Sequence, residues 1–141
     1  MRSEAELLSL AGKARERAYC RYSNFSVGAA LLCDDGTVYQ GCNIENASFG
    51  AGICAERAAF SAAVSDGRRD FSAIAIVGGD AEKVGFPDKQ CPPCGICRQF
   101  MSELCRGDFR IILGTPRSCS VYRLDELLPH GFDLEDKHGE N

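Results

Sequence analysis

Apolar residues recur along the chain with the periods typical of helices and strands. After Ser3, they follow helical spacing to about Tyr19, and Ser3 with Glu6 forms a capping-box pattern at the helix start. Short apolar runs bounded by glycine, proline or charged residues indicate strands. The predicted strands are 27–33, 37–42, 73–77, 109–113 and 118–122, and the predicted helices are 3–19, 54–65, 95–105 and 124–128.

This order of elements, α-β-β-α-β-α-β-β-α, predicts an α/β fold. Strands that alternate with helices are typical of a three-layer α/β/α domain. Asp34-Asp35-Gly36 is typical of a hairpin turn, so one antiparallel pair is expected within a mixed five-stranded sheet. No repeat or linker interrupts the pattern. The sequence therefore predicts one domain over residues 1–141, which is long enough to bury a core.

Composition and charge indicate which classes of binding partner are expected. The formal net charge is −4 and the pI is about 5.2, which argues against a nucleic-acid partner because phosphate binding needs a basic face. No apolar run reaches the ~20 residues that a membrane span requires. The first residues lack the apolar segment of a secretory signal. We therefore expect a cytoplasmic protein with no membrane partner.

Nine cysteines are unusual for a chain of this size. In a protein that is not secreted, metal binding or catalysis is a more common use of cysteine than a disulfide framework. Five of them lie among apolar neighbours and are expected to be small buried hydrophobic residues. These five are Cys20, Cys33, Cys42, Cys105 and Cys119.

Two cysteine motifs carry the candidate chemistry. Cys54-Ala55-Glu56 and Cys94-Gly95-Ile96-Cys97 both fall where a predicted helix begins, and there the helix dipole favours the thiolate. Three thiolates can occupy three corners of a zinc tetrahedron and leave the fourth open to water. Glu56 lies two residues after the first cysteine, where it can move protons. The pattern is typical of a zinc-dependent hydrolytic enzyme.

The negative charge of such a site must be partly compensated by a nearby positive group. Three thiolates around a divalent zinc leave a net negative charge, which weakens the metal as a Lewis acid. Arg57 lies one helical turn after Cys54 and is the favoured donor to the sulfurs. Arg98, directly after Cys97, is a second candidate.

Three alternative interpretations of the cysteines remain open. Cys91 precedes Cys94 by three residues, so a closed site of four thiolates with a purely structural zinc is conceivable. The Pro92-Pro93 pair stiffens this stretch and favours a direction for Cys91 away from the others. A redox-active dithiol at Cys94 and Cys97 is another alternative. A non-catalytic, zinc-stabilised module is the third.

Four segments resemble the cytidine deaminase family in its small form with three cysteine ligands. They are 22–30, 43–48, 54–57 and 93–99, and the likeness extends over nearly the whole chain. The resemblance implies one Zn²⁺ per subunit, held by Cys54, Cys94 and Cys97, with Glu56 as proton shuttle. The implied reaction is hydrolysis of cytidine and 2'-deoxycytidine to uridine and 2'-deoxyuridine with release of ammonia, in pyrimidine salvage.

The same resemblance implies a set of substrate contacts. Asn43 and Glu45 are expected to hold the ribose hydroxyls, and Phe25 is expected to pack against the pyrimidine. Ala55 is expected among the substrate contacts. From the residues alone, Asn43 and Glu45 can equally well be turn residues, and Phe25 is expected to be a core aromatic residue.

Members of this small form are typically homotetramers with active sites built across subunits. By resemblance, Phe132 is the aromatic residue that covers the base bound to a neighbouring subunit. Phe49 stands where the family often has tyrosine, so a hydroxyl is missing there. Deamination of another aminopyrimidine nucleoside, such as blasticidin S, is the nearest alternative reaction. Editing of a base within a polynucleotide would need a basic channel, which the acidic balance disfavours.

Overall fold

The computed structural model describes residues 2–134. Within that range the order of elements agrees with the predicted order. No helix in the range has the length and apolar character needed to cross a membrane. The elements are α1 (Glu4–Arg15), β1 (Phe25–Cys33), β2 (Val38–Cys42), α2 (Ala55–Ser65), β3 (Phe71–Asp80), α3 (Gly95–Leu104), β4 (Arg110–Gly114), β5 (Cys119–Arg123) and α4 (Leu124–Leu127), with a short 3-10 helix at Phe49–Ala51.

The five strands form one sheet in the order β2-β1-β3-β4-β5. β1 pairs antiparallel with both β2 and β3, and β4 pairs antiparallel with β5. Only β3 and β4 run parallel, with Ile74 opposite Ile111. The prediction of a mixed five-stranded sheet is confirmed.

Alternate residues of the central strands face two separate cores, because side chains in a strand point to opposite faces in turn. One core joins the sheet to α1 and includes Leu7, Leu8, Ala11, Ala30, Leu32, Ala73, Ala75 and Ile112. The other joins it to α2 and α3 and includes Ala29, Leu31, Ala59, Phe60, Ile74, Ile76, Met101 and Ile111. The sheet therefore lies between two helical layers, as the sequence predicts.

Gly28 allows α1 to approach the sheet closely. A Cβ atom at this position would lie 2.0 Å from the carbonyl oxygen of Ala11 and 2.4 Å from the backbone nitrogen of Arg15. No other residue type leaves this space empty. The close approach brings the last turn of α1 beside the ends of β1 and β3.

Two predicted boundaries are wrong for identifiable reasons. The first helix ends at Arg15 and not near Tyr19, because the backbone of Tyr19 pairs with that of Asn43 and Glu45 instead. β3 continues through Gly78 to Asp80, although the glycines were expected to end it. Its backbone stays paired with β1 as far as Phe25 opposite Asp80, and a ladder of backbone hydrogen bonds needs no side chain.

All nine cysteines are free thiols. Burial is confirmed for Cys33 and Cys105, while Cys20 and Cys42 are half-buried. The prediction of burial is wrong for Cys119, which is exposed at the start of the edge strand β5. Side chains of an edge strand have fewer neighbours, and a local apolar pattern does not reveal this position.

Candidate metal centre and active site

Three sulfur atoms converge above the sheet. The Sγ atoms of Cys54, Cys94 and Cys97 all lie within 4.8 Å of one another, and those of Cys54 and Cys94 are 4.0 Å apart. A tetrahedral zinc with Zn–S bonds of about 2.3 Å holds its sulfurs about 3.8 Å apart. The spacing therefore fits one zinc ion bound by three protein ligands.

Two helix N-termini position these sulfurs. Cys54 is the N-cap residue of α2 and Cys94 is the N-cap residue of α3, and neither side chain caps its own helix. Both thiols are thus free to face the centre. Cys97 lies on the first turn of α3 and is fully buried. The positive ends of two helix dipoles favour negative charge at this point.

Arg57 donates a hydrogen bond to one of the three sulfurs. Its Nη2 donates to Cys54 Sγ at 3.6 Å, and its Nε is buried without a hydrogen-bond partner within the described residues. The pKa of the Cys54 thiol lies below its usual range, because Cys97 and then Arg57 donate hydrogen bonds to its sulfur. The pKa of Cys97 is correspondingly raised, since its proton is held against Cys54.

Arg98, the second candidate, is engaged elsewhere. Its Nε donates to the carbonyl oxygen of Pro93 and its Nη1 to that of Leu127, both at 2.8 Å. Arg98 therefore joins the start of α3 to α4. The structure favours Arg57 as the residue that offsets the charge of the sulfurs.

Glu56 is the buried acid beside the sulfurs. Only 4% of its surface is exposed. Burial raises the pKa of its carboxyl to about 7, and the neighbouring Cys54 thiolate acts in the same direction. A carboxyl that titrates near neutrality is suited to taking up and releasing a proton.

Most of these groups line a cavity of about 590 Å³. Small-molecule sites usually measure roughly 300–1,000 Å³. The cavity brings together most of the residues that the sequence singles out, together with several that it does not. Its lining includes Asn43, Glu45, Cys54, Ala55, Glu56, Arg57 and Cys94, and also Tyr22, Ser23, Val27, Ile44, Phe49, Ile53, Cys91 and Pro92.

Two predicted substrate contacts lie outside this cavity. Phe25 lines an adjoining cavity that shares only Cys91 and Pro92 with the first, while Val27 lines the cavity of Glu56. Phe132 lines neither cavity, and 65% of its surface is exposed. The structure does not bring these two rings to the sulfurs of the same chain, and their contacts with a substrate stay predictions.

Glu45 holds a loop that lines the cavity. Its carboxylate accepts hydrogen bonds from the backbone N–H groups of Tyr22, at 3.0 Å, and Ser23, at 3.1 Å, and from the Ser23 hydroxyl. These bonds, that of the Ser23 hydroxyl foremost, lower the pKa of Glu45. The carboxylate is thus charged and fixed in place, and it keeps lone pairs for further donors.

Asn43 is fixed in a similar way by β1. Its Oδ1 accepts from the Val27 N–H at 2.8 Å, and its Nδ2 donates to the Phe25 carbonyl oxygen at 2.9 Å. One amide proton and one lone pair remain for a ligand. Its side chain is therefore oriented before any ligand arrives.

Sequence reasoning missed Ser23 as part of the site. Ser23 reaches Glu45 because the backbones of Tyr19 and Ile44 form a bridge that joins two loops far apart in sequence. Nothing in the local pattern around Ser23 signals this pairing. A contact of this kind is visible only after the chain has folded.

Cys91 lies in the wall of the cavity and outside the three-sulfur group. Burial raises the pKa of its thiol to about 11, and it is therefore a neutral side chain at ordinary pH. The arrangement does not support the alternative of a closed four-thiolate site.

Known proteins resemble this chain over most of its length. Residues 1–114 match the sequence model described as "Cytidine and deoxycytidylate deaminase zinc-binding region". The cytidine deaminase of Halalkalibacterium halodurans is 49% identical over 131 residues, which are 92% of this chain and 94% of that protein. The chain belongs to the cytidine deaminase family.

Solved structures support the same conclusion. The crystal structure of cytidine deaminase from Burkholderia pseudomallei matches with a TM-score of 0.82 and 43% identity, covering 94% of this chain and all of that one. The cytidine deaminase from Mycobacterium tuberculosis matches with a TM-score of 0.76 and 40% identity, over 91% and 95% of the two chains. The predicted family, fold class and zinc cofactor are confirmed.

Replacement of single cysteines separates ligands from bystanders. Cys94→Ala should lose bound zinc, because it removes one corner of the three-sulfur group, whereas Cys91→Ala should retain one zinc per chain. Metal content is measured by mass spectrometry after gel filtration. X-ray absorption of the unaltered protein should show three sulfur neighbours and one lighter atom. Loss of zinc from Cys91→Ala, or four sulfur neighbours, would contradict the three-ligand site.

Proposed function

We propose that this protein catalyses the zinc-dependent hydrolytic deamination of cytidine and 2'-deoxycytidine, giving uridine or 2'-deoxyuridine and ammonia. The observation that carries the proposal is the buried Glu56 beside a three-sulfur group, in the lining of a cavity large enough for a nucleoside. The relatives described above, at up to 49% identity, are named cytidine deaminases. Such a reaction fits a role in pyrimidine salvage.

Cys54, Cys94 and Cys97 would hold the zinc ion. When bound with one coordination position open, zinc supplies a Lewis acid that turns water into a nucleophile at neutral pH. Arg57 keeps the sulfurs from carrying their full negative charge, because its guanidinium donates to Cys54. The two helix N-termini also stabilise the negative charge on the sulfurs.

Glu56 moves the protons of the reaction. Its carboxylate accepts a proton from the attacking water while oxygen bonds to the ring carbon that carries the amino group. The carboxyl delivers that proton to the ring nitrogen. It then takes the second proton from the newly added hydroxyl group and delivers it to the amine, so that a carbonyl group forms, the carbon–nitrogen bond breaks and ammonia leaves. A carboxyl with its pKa near 7 can perform both transfers.

Asn43, Glu45 and Ala55 orient the nucleoside. Asn43 and Glu45 keep free donor and acceptor capacity beside the cavity, and this capacity suits the hydroxyls of a sugar. Ala55 is the first residue of α2, and its N–H has no acceptor within the helix. That N–H can donate to the carbonyl oxygen of the pyrimidine.

Replacing Glu56 by glutamine tests the proton-transfer role. Glu56→Gln keeps the shape of the side chain but removes its basicity, so turnover of cytidine should fall by at least ~100-fold while zinc is retained. The conversion is followed by ultraviolet absorbance, with uridine and ammonia identified separately. Glu16→Gln, exposed just after α1, serves as the control. Normal turnover by Glu56→Gln, or no product from the unaltered protein, would refute the mechanism.

Arg57→Gln tests the charge offset. This variant should retain zinc but lower kcat roughly tenfold, because the sulfurs lose a charged donor. Arg69→Gln is a matched control, since Arg69 follows the other end of α2 and its Nη1 donates to backbone carbonyl oxygens there. Metal content and kcat are measured over a range of pH. Equal kcat values for Arg57→Gln and the unaltered protein at every pH would exclude this role.

We further propose that the active unit is a homotetramer in which Phe132 covers the base bound to a neighbouring subunit. Two apolar side chains support this. Phe49 lines the cavity with 88% of its surface exposed, and Phe132 is exposed at 65%. Exposed aromatic side chains are typical of surfaces that another chain covers.

Phe132→Ala measures the contribution of this aromatic ring. The variant should raise KM for cytidine about tenfold with little change in kcat, because stacking on the base is lost. Leu134→Ala is the control, since Leu134 is two residues further along and 89% exposed. Light scattering during gel filtration gives the mass of each variant. An unchanged KM in tetrameric Phe132→Ala, or full activity of a monomer, would overturn the proposal.

The alternative substrate is another aminopyrimidine nucleoside such as blasticidin S. The pair Asn43 and Glu45 at the cavity supports an ordinary sugar diol instead. A ratio of kcat/KM that favours cytidine over blasticidin S would decide between them. We place the reaction in the cytoplasm, where a reducing environment preserves nine free thiols.

A further inference from the structure

Arg15, the last residue of α1, is buried with only 5% of its surface exposed. Its guanidinium is held by three neutral backbone oxygens. Nε donates to the carbonyl of Ser26 at 3.1 Å, Nη1 to that of Gly85 at 3.1 Å, and Nη2 to that of Asp80 at 2.7 Å. Burying a charged group is costly, so three charge-assisted bonds from one side chain indicate a specific task.

The three acceptors belong to different parts of the chain. Ser26 lies at the start of β1, Asp80 at the end of β3, and Gly85 in the segment 81–93 that leads to Cys94. Residues 81–93 contain no helix or strand and connect the sheet to the metal-binding helix. Arg15 is therefore a tie between this connecting segment and the sheet.

The connecting segment lies against two glycines of β3, next to Arg15. A Cβ atom at Gly79 would be 2.4 Å from Pro87 Cγ and 3.1 Å from Arg15 Nη2, and one at Gly78 would be 2.7 Å from Cys91 Sγ. The segment thus packs directly on the strand. Its last residues include Cys91 and Pro92, and Cys94 follows directly after it; these three residues line the cavity of Glu56.

We propose that Arg15 is a positioning residue for the metal centre and the substrate cavity. It lines the adjoining cavity and not the cavity of Glu56, so it acts through the segment 81–93. By fixing that segment, it holds Cys94 and the wall formed by Cys91 and Pro92 in place before substrate or metal binds. A site that is already ordered loses less conformational entropy when a ligand binds, and it therefore binds the ligand more tightly. Its effect on turnover rests on the proposed function, whereas its effect on metal retention does not.

The geometry requires a guanidinium. Each of the three guanidinium nitrogens donates to its own carbonyl oxygen. The planar arginine side chain presents these donors in fixed directions. A lysine ammonium is a single centre on a flexible stem and cannot reach all three carbonyl groups in this way. Arg15→Lys should therefore weaken the tie although it preserves the charge.

Gly85 allows the same tie to be tested from the other side. Its φ of 92° is a conformation that residues with a side chain rarely adopt, while the space around it is open. Gly85→Ala therefore strains the backbone that presents the carbonyl group to Arg15, and it introduces no clash. Gly36→Ala is a matched control, because Gly36 has a φ of 95° and equally open surroundings in the β1–β2 turn.

The experiment compares Arg15→Lys, Gly85→Ala, Gly36→Ala and Arg110→Lys, all loaded with zinc. Arg110 pairs with Glu4 at the opposite end of α1 and is the control for loss of a guanidinium. Release of zinc to the chelator pyridylazoresorcinol should be about tenfold faster in Arg15→Lys and Gly85→Ala than in the unaltered protein. Trypsin should cut faster after Lys83 and Lys89, which are exposed in the segment. The KM for cytidine should rise in the same two variants.

The proposal would be overturned if Gly85→Ala released zinc and was cleaved by trypsin at the same rates as Gly36→Ala. Equal behaviour of Arg15→Lys and Arg110→Lys would do the same. If Arg15→Lys does not fold, Gly85→Ala decides the matter, since it keeps the guanidinium. If no variant and not even the unaltered protein deaminates cytidine, the proposed function fails, while zinc release and cleavage still decide the role of Arg15.

Discussion

The convergence of three cysteine sulfurs on two helix N-termini is the constraint on which the site depends. Thiolates at van der Waals separation repel one another, and partial burial strengthens that repulsion. The N-terminal ends of α2 and α3 and the guanidinium of Arg57 supply the compensating positive potential. Cys54 and Cys94 occupy the N-cap positions, but their side chains form no hydrogen bonds with the backbone N–H groups of their helices. The helices therefore lack the stabilisation of a polar cap, and the sulfurs remain available.

The sheet topology explains why these two helices meet. α2 follows the edge strand β2 and α3 follows the central strand β3, yet both pack on the same face of the sheet. Because β1 separates β2 from β3, the two helices lie side by side across it. Their N-termini then face the same region, although 40 residues separate Cys54 from Cys94. A hairpin followed by a crossover is thus sufficient to assemble a centre that no single segment could form.

Much of this arrangement could be predicted from the sequence, because helix starts and strand periods are local signals. Cys54 and Cys94 could be assigned to helix N-termini for that reason, and Arg57 followed from its spacing of one turn. The roles of Ser23 and Arg15 and the cavity that Phe25 lines could not be predicted, since each depends on contacts between segments distant in sequence. Arg15 gave no signal at all: an arginine in the last turn of a helix ordinarily faces solvent near the negative end of the dipole.

Arg15 and Arg57 show two ways of using a guanidinium without a carboxylate acceptor. The described hydrogen bonds of Arg15 go only to carbonyl oxygens, and that of Arg57 goes to a sulfur. A carboxylate beside Arg57 would cancel much of the field that stabilises the thiolates. The buried Nε of Arg57 has no hydrogen-bond partner among residues 2–134, which costs free energy, but the positive charge of the guanidinium stays directed at the sulfurs. This arrangement also leaves burial, and not an ion pair with Arg57, as the main influence on the pKa of Glu56.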